Sequence, residues 1–319
     1  MQRHPRTTIV TDRGIEAEAV APVIISASRS TDIPAFYGSW FMKRLEAGYV
    51  RWVNPWNGRS SYVSLREVRL IVFWTKNPAP FLPHLREIEG SGIPYYFHFS
   101  LNDYEGENLE PGVPPLAERI ATFRRLSDKI GRERVLWRFD PLVVTPSLSP
   151  ERLLARIRTV GDNLTGYTDR LTIGFMTDYA KTQRNLRRAG IASTGWSGAE
   201  KTTFMVCLAE YLAGRNISGV TCAEESNNGE SGITAGKCID DRLARSLWGN
   251  DRRLADFLDV YANSKDTGQR KGCRCLPAKD IGRYDTCGHA CRYCYANSSP
   301  QAALARCGRA SDDAEAIID

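Results

Sequence analysis

The chain has no uncharged apolar run long enough to cross a bilayer, which argues against a helical membrane protein. Its opening, Met1-Gln2-Arg3-His4-Pro5-Arg6, lacks the apolar core of a secretory signal, so we expect a cytoplasmic protein with no membrane partner. No glycine-rich phosphate loop follows the first apolar run, and no repeat, low-complexity tract or linker divides the first two thirds of the chain. Nor is there a basic tract: the net charge of +6 is small for 319 residues, and the arginines are spread along helix-like stretches such as 153–158. A solvated surface explains that charge first and an anionic pocket second, which leaves nucleic acid a weak partner. The cysteines number nine, an odd count with no export signal beside it. Read in a reducing compartment, they are ligands, reactive groups or small core residues and not a disulfide frame.

What is present is a recurring pattern. An apolar run empties into polar residues at 23–28 (then Arg29, Thr31, Asp32), 48–53 (then Asn54, Asn57), 70–74 (then Thr75, Lys76, Asn77) and 95–99 (then Asn102). It recurs at 134–137 (then Arg138, Asp140), 171–176 (then Asp178) and 217–221 (then Cys222, Glu224). Helix-like segments separate these runs, at 36–47, 83–89, 114–129, 150–160, 182–189 and 200–213. Alternating strands and helices predict an α/β fold with a parallel sheet. Seven strands without a phosphate loop favour a complete or partial (β/α) barrel, like a TIM barrel, over a doubly wound sheet.

We expect residues 1–20 to be a loose arm, 21–225 a barrel-like catalytic domain, and 226–319 a cysteine-rich segment folded over the barrel mouth. Within that last segment, 226–232 reads as a flexible turn and 238–261 as mostly helical. In a barrel the polar residues after each strand share one mouth. Arg29, Asp32, Asn54, Asn57, Thr75, Lys76, Asn77, His98, Asn102, Arg138, Asp140, Asp178, Cys222 and Glu224 then ring one opening. Lys76, Arg29 and Arg138 suit carboxylates or other oxyanions, and Asp140 or Glu224 suits ribose hydroxyls. An Arg138–Asp140 salt bridge is an equal alternative for that pair. His98, among aromatic neighbours, reads as a hydrogen-bonded core residue and not a base.

Near the end, Cys287, Cys291 and Cys294 are spaced by three and then two residues, with Tyr293 just before the third. Three thiolates at this spacing can hold three corners of a [4Fe–4S] cluster and leave the fourth iron open. The pattern resembles the signature of the radical S-adenosylmethionine superfamily. That resemblance implies an open iron that takes the methionine part of S-adenosylmethionine, an aromatic Tyr293 beside the adenine, and a reductase or a flavodoxin- or ferredoxin-type electron donor. Two departures stand out: the motif lies near the end of the chain and not after a first strand, and no Gly-Gly-Glu strand end is present for the methionine amino group. His289 lies inside the loop as a spacer or an outer neighbour. A broader resemblance, carried by Ser26 to Pro34, Phe73 to Pro78, Trp137 to Pro141, Thr221 to Glu224, Lys237 to Asp240 and the cysteine run, is to a bacterial domain family of unassigned function.

Cys222, Cys238, Cys273 and Cys275 form a second group of soft ligands, suited to a second iron–sulfur cluster, a zinc ion or a thiophilic substrate. Cys207 and Cys307 read as bystanders. The sequence thus points to an iron–sulfur enzyme that cleaves S-adenosylmethionine to a 5′-deoxyadenosyl or 3-amino-3-carboxypropyl radical and acts on a small-molecule substrate. Transfer of the aminocarboxypropyl group to a soft nucleophile such as trivalent arsenic would make it a transferase. The rivals are a nucleic-acid repair or modification enzyme and a non-enzymatic binding protein stabilised by zinc, with Cys273 and Cys275 joining Cys291 and Cys294 in one closed site.

Overall fold

The computed structural model describes residues 4–224 and 231–318. Its twelve strands are β1 (Arg6–Val10), β2 (Glu16–Val20), β3 (Ile24–Ala27), β4 (Tyr49–Val53), β5 (Ser60–Ser64), β6 (Leu70–Thr75), β7 (Tyr95–Ser100), β8 (Val135–Leu142), β9 (Arg170–Phe175), β10 (Ser218–Cys222), β11 (Thr234–Gly236) and β12 (Lys279–Asp280). Eight of them form one parallel sheet in the order β11-β10-β9-β8-β7-β6-β3-β12. From β3 to β11 the neighbours follow chain order, and β12 returns to pair with β3 on the far edge. Among the described residues no ladder joins β11 to β12.

The inner strands, β3 and β6 to β9, are mostly apolar because both faces are covered. On one face Ile25, Phe73, Phe97, Trp137 and Ile173 pack under the intervening helices. Pro150–Leu164 shows how those helices form. Ser149 caps it by accepting from Arg152 N, Pro150 occupies its first turn, and Leu153, Ile157, Val160 and Leu164 recur at helical spacing on the buried side. Burying each such side chain is worth roughly 1.5–3 kcal/mol. The alternate residues Ile24, Leu70, Val72, Tyr96 and Leu136 face the other way, onto Cys238, Cys273, Cys275 and the helices Asp241–Trp248 and Arg252–Tyr261. Residues 231–318 therefore supply two strands of the sheet and the cover of its second face.

Two expectations change. Residues 6–20 are not a loose arm but a hairpin, joined with β4 and β5 in a separate sheet of order β1-β2-β5-β4. Only Ile9 in β1 and Ala19 in β2 are buried, so neither strand carries an apolar run. The 48–53 run belongs to this second sheet as well, which takes Asn54 and Asn57 away from the strand ends of the large sheet. The expected domain boundary at 225/226, Glu225, and most of the turn at 226–232 lie outside the described residues. No helix of the described residues is long and apolar enough to cross a membrane.

Candidate functional site

The cysteine loop is clamped from all sides. Tyr37 OH donates to Thr286 O at 2.5 Å, Arg292 N to Leu109 O at 2.8 Å and Gly112 N to His289 O at 3.0 Å. Asn185, on the helix Ala180–Arg188, donates to Cys294 O and Asn297 O, both at 3.0 Å. Asn297 closes the loop on itself through Cys287 O at 2.9 Å, and its N–H points at Cys294 Sγ at 3.3 Å. Gly112 is required here: a β-carbon would stand 2.7 Å from His289 O, closer than packed atoms tolerate. His289 uses both ring nitrogens, Nε2 on Asp32 Oδ2 at 2.8 Å and Nδ1 on Gly112 O at 3.2 Å, so it is an outer neighbour and not a free ligand.

Beneath the loop lies a buried polar network that the ends of β3, β6 and β7 position. Asp32 caps the helix Ile33–Phe36 through Ala35 N and also accepts from Lys76 N at 2.7 Å. Lys76 Nζ donates to Glu110 Oε1 at 2.7 Å and to Tyr293 OH at 3.0 Å. Asn102 Nδ2 donates to the same Glu110 oxygen at 2.7 Å, and Tyr293 OH donates to it too. Arg119 Nη1 stands 3.9 Å from Glu110 Oε2, which is buried without a hydrogen-bond partner among the described residues. Burial alone would push the Glu110 carboxyl up, but Lys76 and then Arg119 outweigh it and hold the group below the usual carboxylate range. Burial likewise opposes the charge on Lys76, yet Glu110 and the nearby Cys291 hold its ammonium above the ordinary lysine value. Burial pushes the Tyr293 hydroxyl well up, with Glu110 adding to it.

The second group of cysteines is also assembled, from three separate parts of the chain. Cys238 Sγ lies 3.6 Å from Cys222 Sγ, and Cys275 Sγ accepts from Cys238 N at 3.3 Å and Ile239 N at 3.5 Å. Cys273 and Cys275 are buried in the same core as Cys238, with Cys222 packed against it. Arg138 Nη1 donates to Cys238 Sγ at 2.9 Å and Arg270 Nη2 to Cys222 Sγ at 3.4 Å. Arg138 is ion-paired with Asp140, and both Arg138 and Arg29 lie over Trp74. A hydrogen bond from Cys238, then Arg138, outweighs burial and lowers the Cys222 thiol, while the contact with Cys222 raises that of Cys238.

The expected single ring thus divides. Asp32, Lys76 and Tyr293 gather at the loop of Cys287, Cys291 and Cys294. Arg29, Arg138 and Asp140 gather at Cys222, Cys238, Cys273 and Cys275. Thr75 and Asn77 serve the turn after β6, where Thr75 Oγ1 accepts from Asn77 N and Asn77 Oδ1 from Ala79 N. Glu224 pairs with Lys201 at 3.2 Å, and Asp178 accepts from Gln183 on the exposed surface. Asn54 and Asn57 cap their own exposed turn. His98 is a core histidine, stacked on Trp74 and bound to Cys238 O at 2.7 Å; burial and then Arg138 keep it well below the usual histidine range. The mixed zinc site does not assemble, because Cys273 and Cys275 pack on the second face of the sheet and Cys291 and Cys294 with the first. Glu110, Arg119 and Arg270 went unread in the sequence. Glu110 lies in a proline- and glycine-rich stretch with no flanking motif, and its one signal is a carboxylate in the long loop that follows β7.

Among the described residues, no three His, Cys, Asp or Glu side chains converge as they would around one ion. Three thiolates on a single zinc, with bonds of 2.3 Å, stand about 3.8 Å apart, whereas on a four-iron cluster each binds its own iron and the sulfurs spread wider. The loop offers three soft sulfur donors, the chemistry that either zinc or iron requires. Its three thiols are close enough to feel one another's charge, an N–H is aimed at Cys294 Sγ, and the Lys76 ammonium lies beside Cys291.

The model of a domain of unknown function, DUF1848, matches residues 24–296. No curated protein and no solved structure matches the chain. The matched span runs from the start of β3 to the end of the cysteine loop and takes in both sulfur groups, and the chain belongs to the DUF1848 family.

Proposed function

We propose that this protein is an iron–sulfur enzyme that cleaves S-adenosylmethionine reductively, with the large sheet as a partial barrel around the site. The observation that carries the reading is the placement of the Cys287, Cys291 and Cys294 loop against the buried Lys76–Glu110–Tyr293 network at the sheet's carboxyl edge. Cys287, Cys291 and Cys294 hold three irons. Tyr293, its hydroxyl fixed by Glu110 and Asn102, flanks the adenine. Glu110 Oε2 is a buried acceptor with no hydrogen-bond partner among the described residues and suits the methionine ammonium that a Gly-Gly-Glu strand end would otherwise take. Lys76 offsets negative charge at the loop and at the methionine carboxylate. When bound, the cluster supplies the electron that breaks a carbon–sulfur bond and releases a 5′-deoxyadenosyl or 3-amino-3-carboxypropyl radical. A flavodoxin- or ferredoxin-type protein, or a reductase, delivers that electron.

The group of thiols near the site favours a soft substrate as a second reading, in which the aminocarboxypropyl group passes to a nucleophile such as trivalent arsenic. Electron paramagnetic resonance of the dithionite-reduced protein tests the first reading. We expect a four-iron signal that changes shape when S-adenosylmethionine is added and is lost in Cys291→Ala. A signal indifferent to S-adenosylmethionine would reduce the loop to an electron carrier.

A further inference from the structure

We infer that Cys222, Cys238, Cys273 and Cys275 are the ligands of a second metal centre, closed by four thiolates and separate from the three-cysteine loop. The inference stands without the S-adenosylmethionine reading. The four residues come from the end of β10, from just after β11 and from the loop before β12, yet the fold brings them to one core on the second face of the sheet, with Cys238, Cys273 and Cys275 buried and Cys222 partly so. The 3.6 Å between Cys222 and Cys238 is close to the edge of a tetrahedron of sulfurs around a single ion, about 3.8 Å. Two backbone N–H groups on Cys275 Sγ and one guanidinium on each of Cys238 and Cys222 are the donors that anionic sulfur attracts. Arg29 Nη2, buried without a hydrogen-bond partner, lies on the same side, near Cys273 and Cys275.

The group also has an opening and a connection. A surface cavity of about 400 Å³ is lined by Cys273 with Lys237, Lys265, Lys271 and Arg274, a path by which metal can be loaded. At the other end Arg138 passes from Cys238 to Asp140, whose N–H donates to Asn102 Oδ1, and Asn102 reaches Glu110 and Tyr293. Loading draws the four sulfurs into a tetrahedron and displaces the thiol protons. Zinc and a [4Fe–4S] cluster share this ligand chemistry.

The test removes the other site first. The triple variant Cys287→Ala, Cys291→Ala, Cys294→Ala, purified without oxygen and reconstituted with iron and sulfide, should retain about one zinc or about four irons per chain. The metal analysis tells the two apart. X-ray absorption at that metal's edge should show only sulfur neighbours at about 2.3 Å. Adding Cys238→Ser or Cys275→Ser should abolish this binding, while Cys207→Ser should not. A metal-free triple variant overturns the proposal, and so do oxygen or nitrogen neighbours at the edge. A disulfide between Cys222 and Cys238, seen as a loss of two hydrogens in the intact mass of protein purified without reductant, overturns it in favour of a thiol switch. Failure of the S-adenosylmethionine reading leaves all these outcomes unchanged.

Discussion

Glu110→Gln removes the one carboxylate that balances Lys76 beneath the cysteine loop. The Lys76 side chain is 16% exposed and that of Glu110 is 4%, so the pair is nearly dry. Removing one partner of a buried ion pair costs about 3–5 kcal/mol, because the remaining charge stays buried. Lys76 keeps its bond to Tyr293 OH and some contact with water, which places the expected loss near the lower end, about 3 kcal/mol, or roughly a hundredfold in the folded-to-unfolded ratio. Urea midpoints of the wild type, Glu110→Gln, Lys76→Met and the double variant Lys76→Met, Glu110→Leu measure this. The double variant should recover part of the loss, since no unpaired Lys76 remains, while Arg119 still loses the carboxylate 3.9 Å away.

The pH dependence has a definite sign. Glu110 titrates lower when folded than unfolded, so its contribution is complete above about pH 4.3 and is lost as pH falls through the depressed folded value. Lys76 titrates higher when folded; its contribution is complete below about pH 10.4 and is lost as pH rises through the elevated folded value. Glu110→Gln should flatten the acid limb and also move the alkaline limb to lower pH, because Glu110 is the main group holding Lys76 above its ordinary value. A Glu110→Gln midpoint within about 0.5 kcal/mol of wild type, the range of ordinary surface substitutions, would refute the reasoning.

Other consequences follow from the same geometry. Gly112→Ala places a methyl group against His289 O and should destabilise the fold by about 1–3 kcal/mol while lowering iron uptake at the loop, read by iron analysis after reconstitution. Asp32→Asn turns an amide donor towards Lys76 N–H and His289 and should cost about 1–3 kcal/mol in thermal or urea unfolding. Arg138→Met leaves Cys238 and Asp140 without their guanidinium partner and should raise the pH at which the Cys222 and Cys238 pair reacts with a thiol reagent; an unchanged profile would mean that Arg138 does not hold a thiolate there.

The inner strands of the large sheet were legible because they are buried on both sides and mostly apolar, as Leu70 to Phe73 is, whereas the short edge strands β11 and β12 carry no apolar run and went unread. Helices were legible as helix-like segments between the strands, but the capping box of Ser197 and Glu200 that starts Gly198–Ala213 went unread. The hairpin of β1 and β2 was hidden, since an exposed two-stranded ribbon needs few apolar residues. Spacing alone identified the three loop cysteines, which are local in sequence. It could only group the other four, whose association depends on β10, β11 and the return of β12 to β3. The polar residues after the strands were read as one ring, but they separate because neighbouring side chains on a strand point to opposite faces. Trp137 enters the first core while Arg138 lies over Trp74 on the second. Glu110 remained invisible because a buried carboxylate in a loop looks, in sequence, like any solvated one.

The most direct test of the central claim is the nucleoside product. Protein reconstituted with iron and sulfide without oxygen, reduced with dithionite and given S-adenosylmethionine should release 5′-deoxyadenosine, identified by mass, with none from Cys291→Ala. Methylthioadenosine in its place would assign aminocarboxypropyl chemistry to the same loop. If neither nucleoside forms from protein that has taken up its iron, the proposed cleavage of S-adenosylmethionine is contradicted.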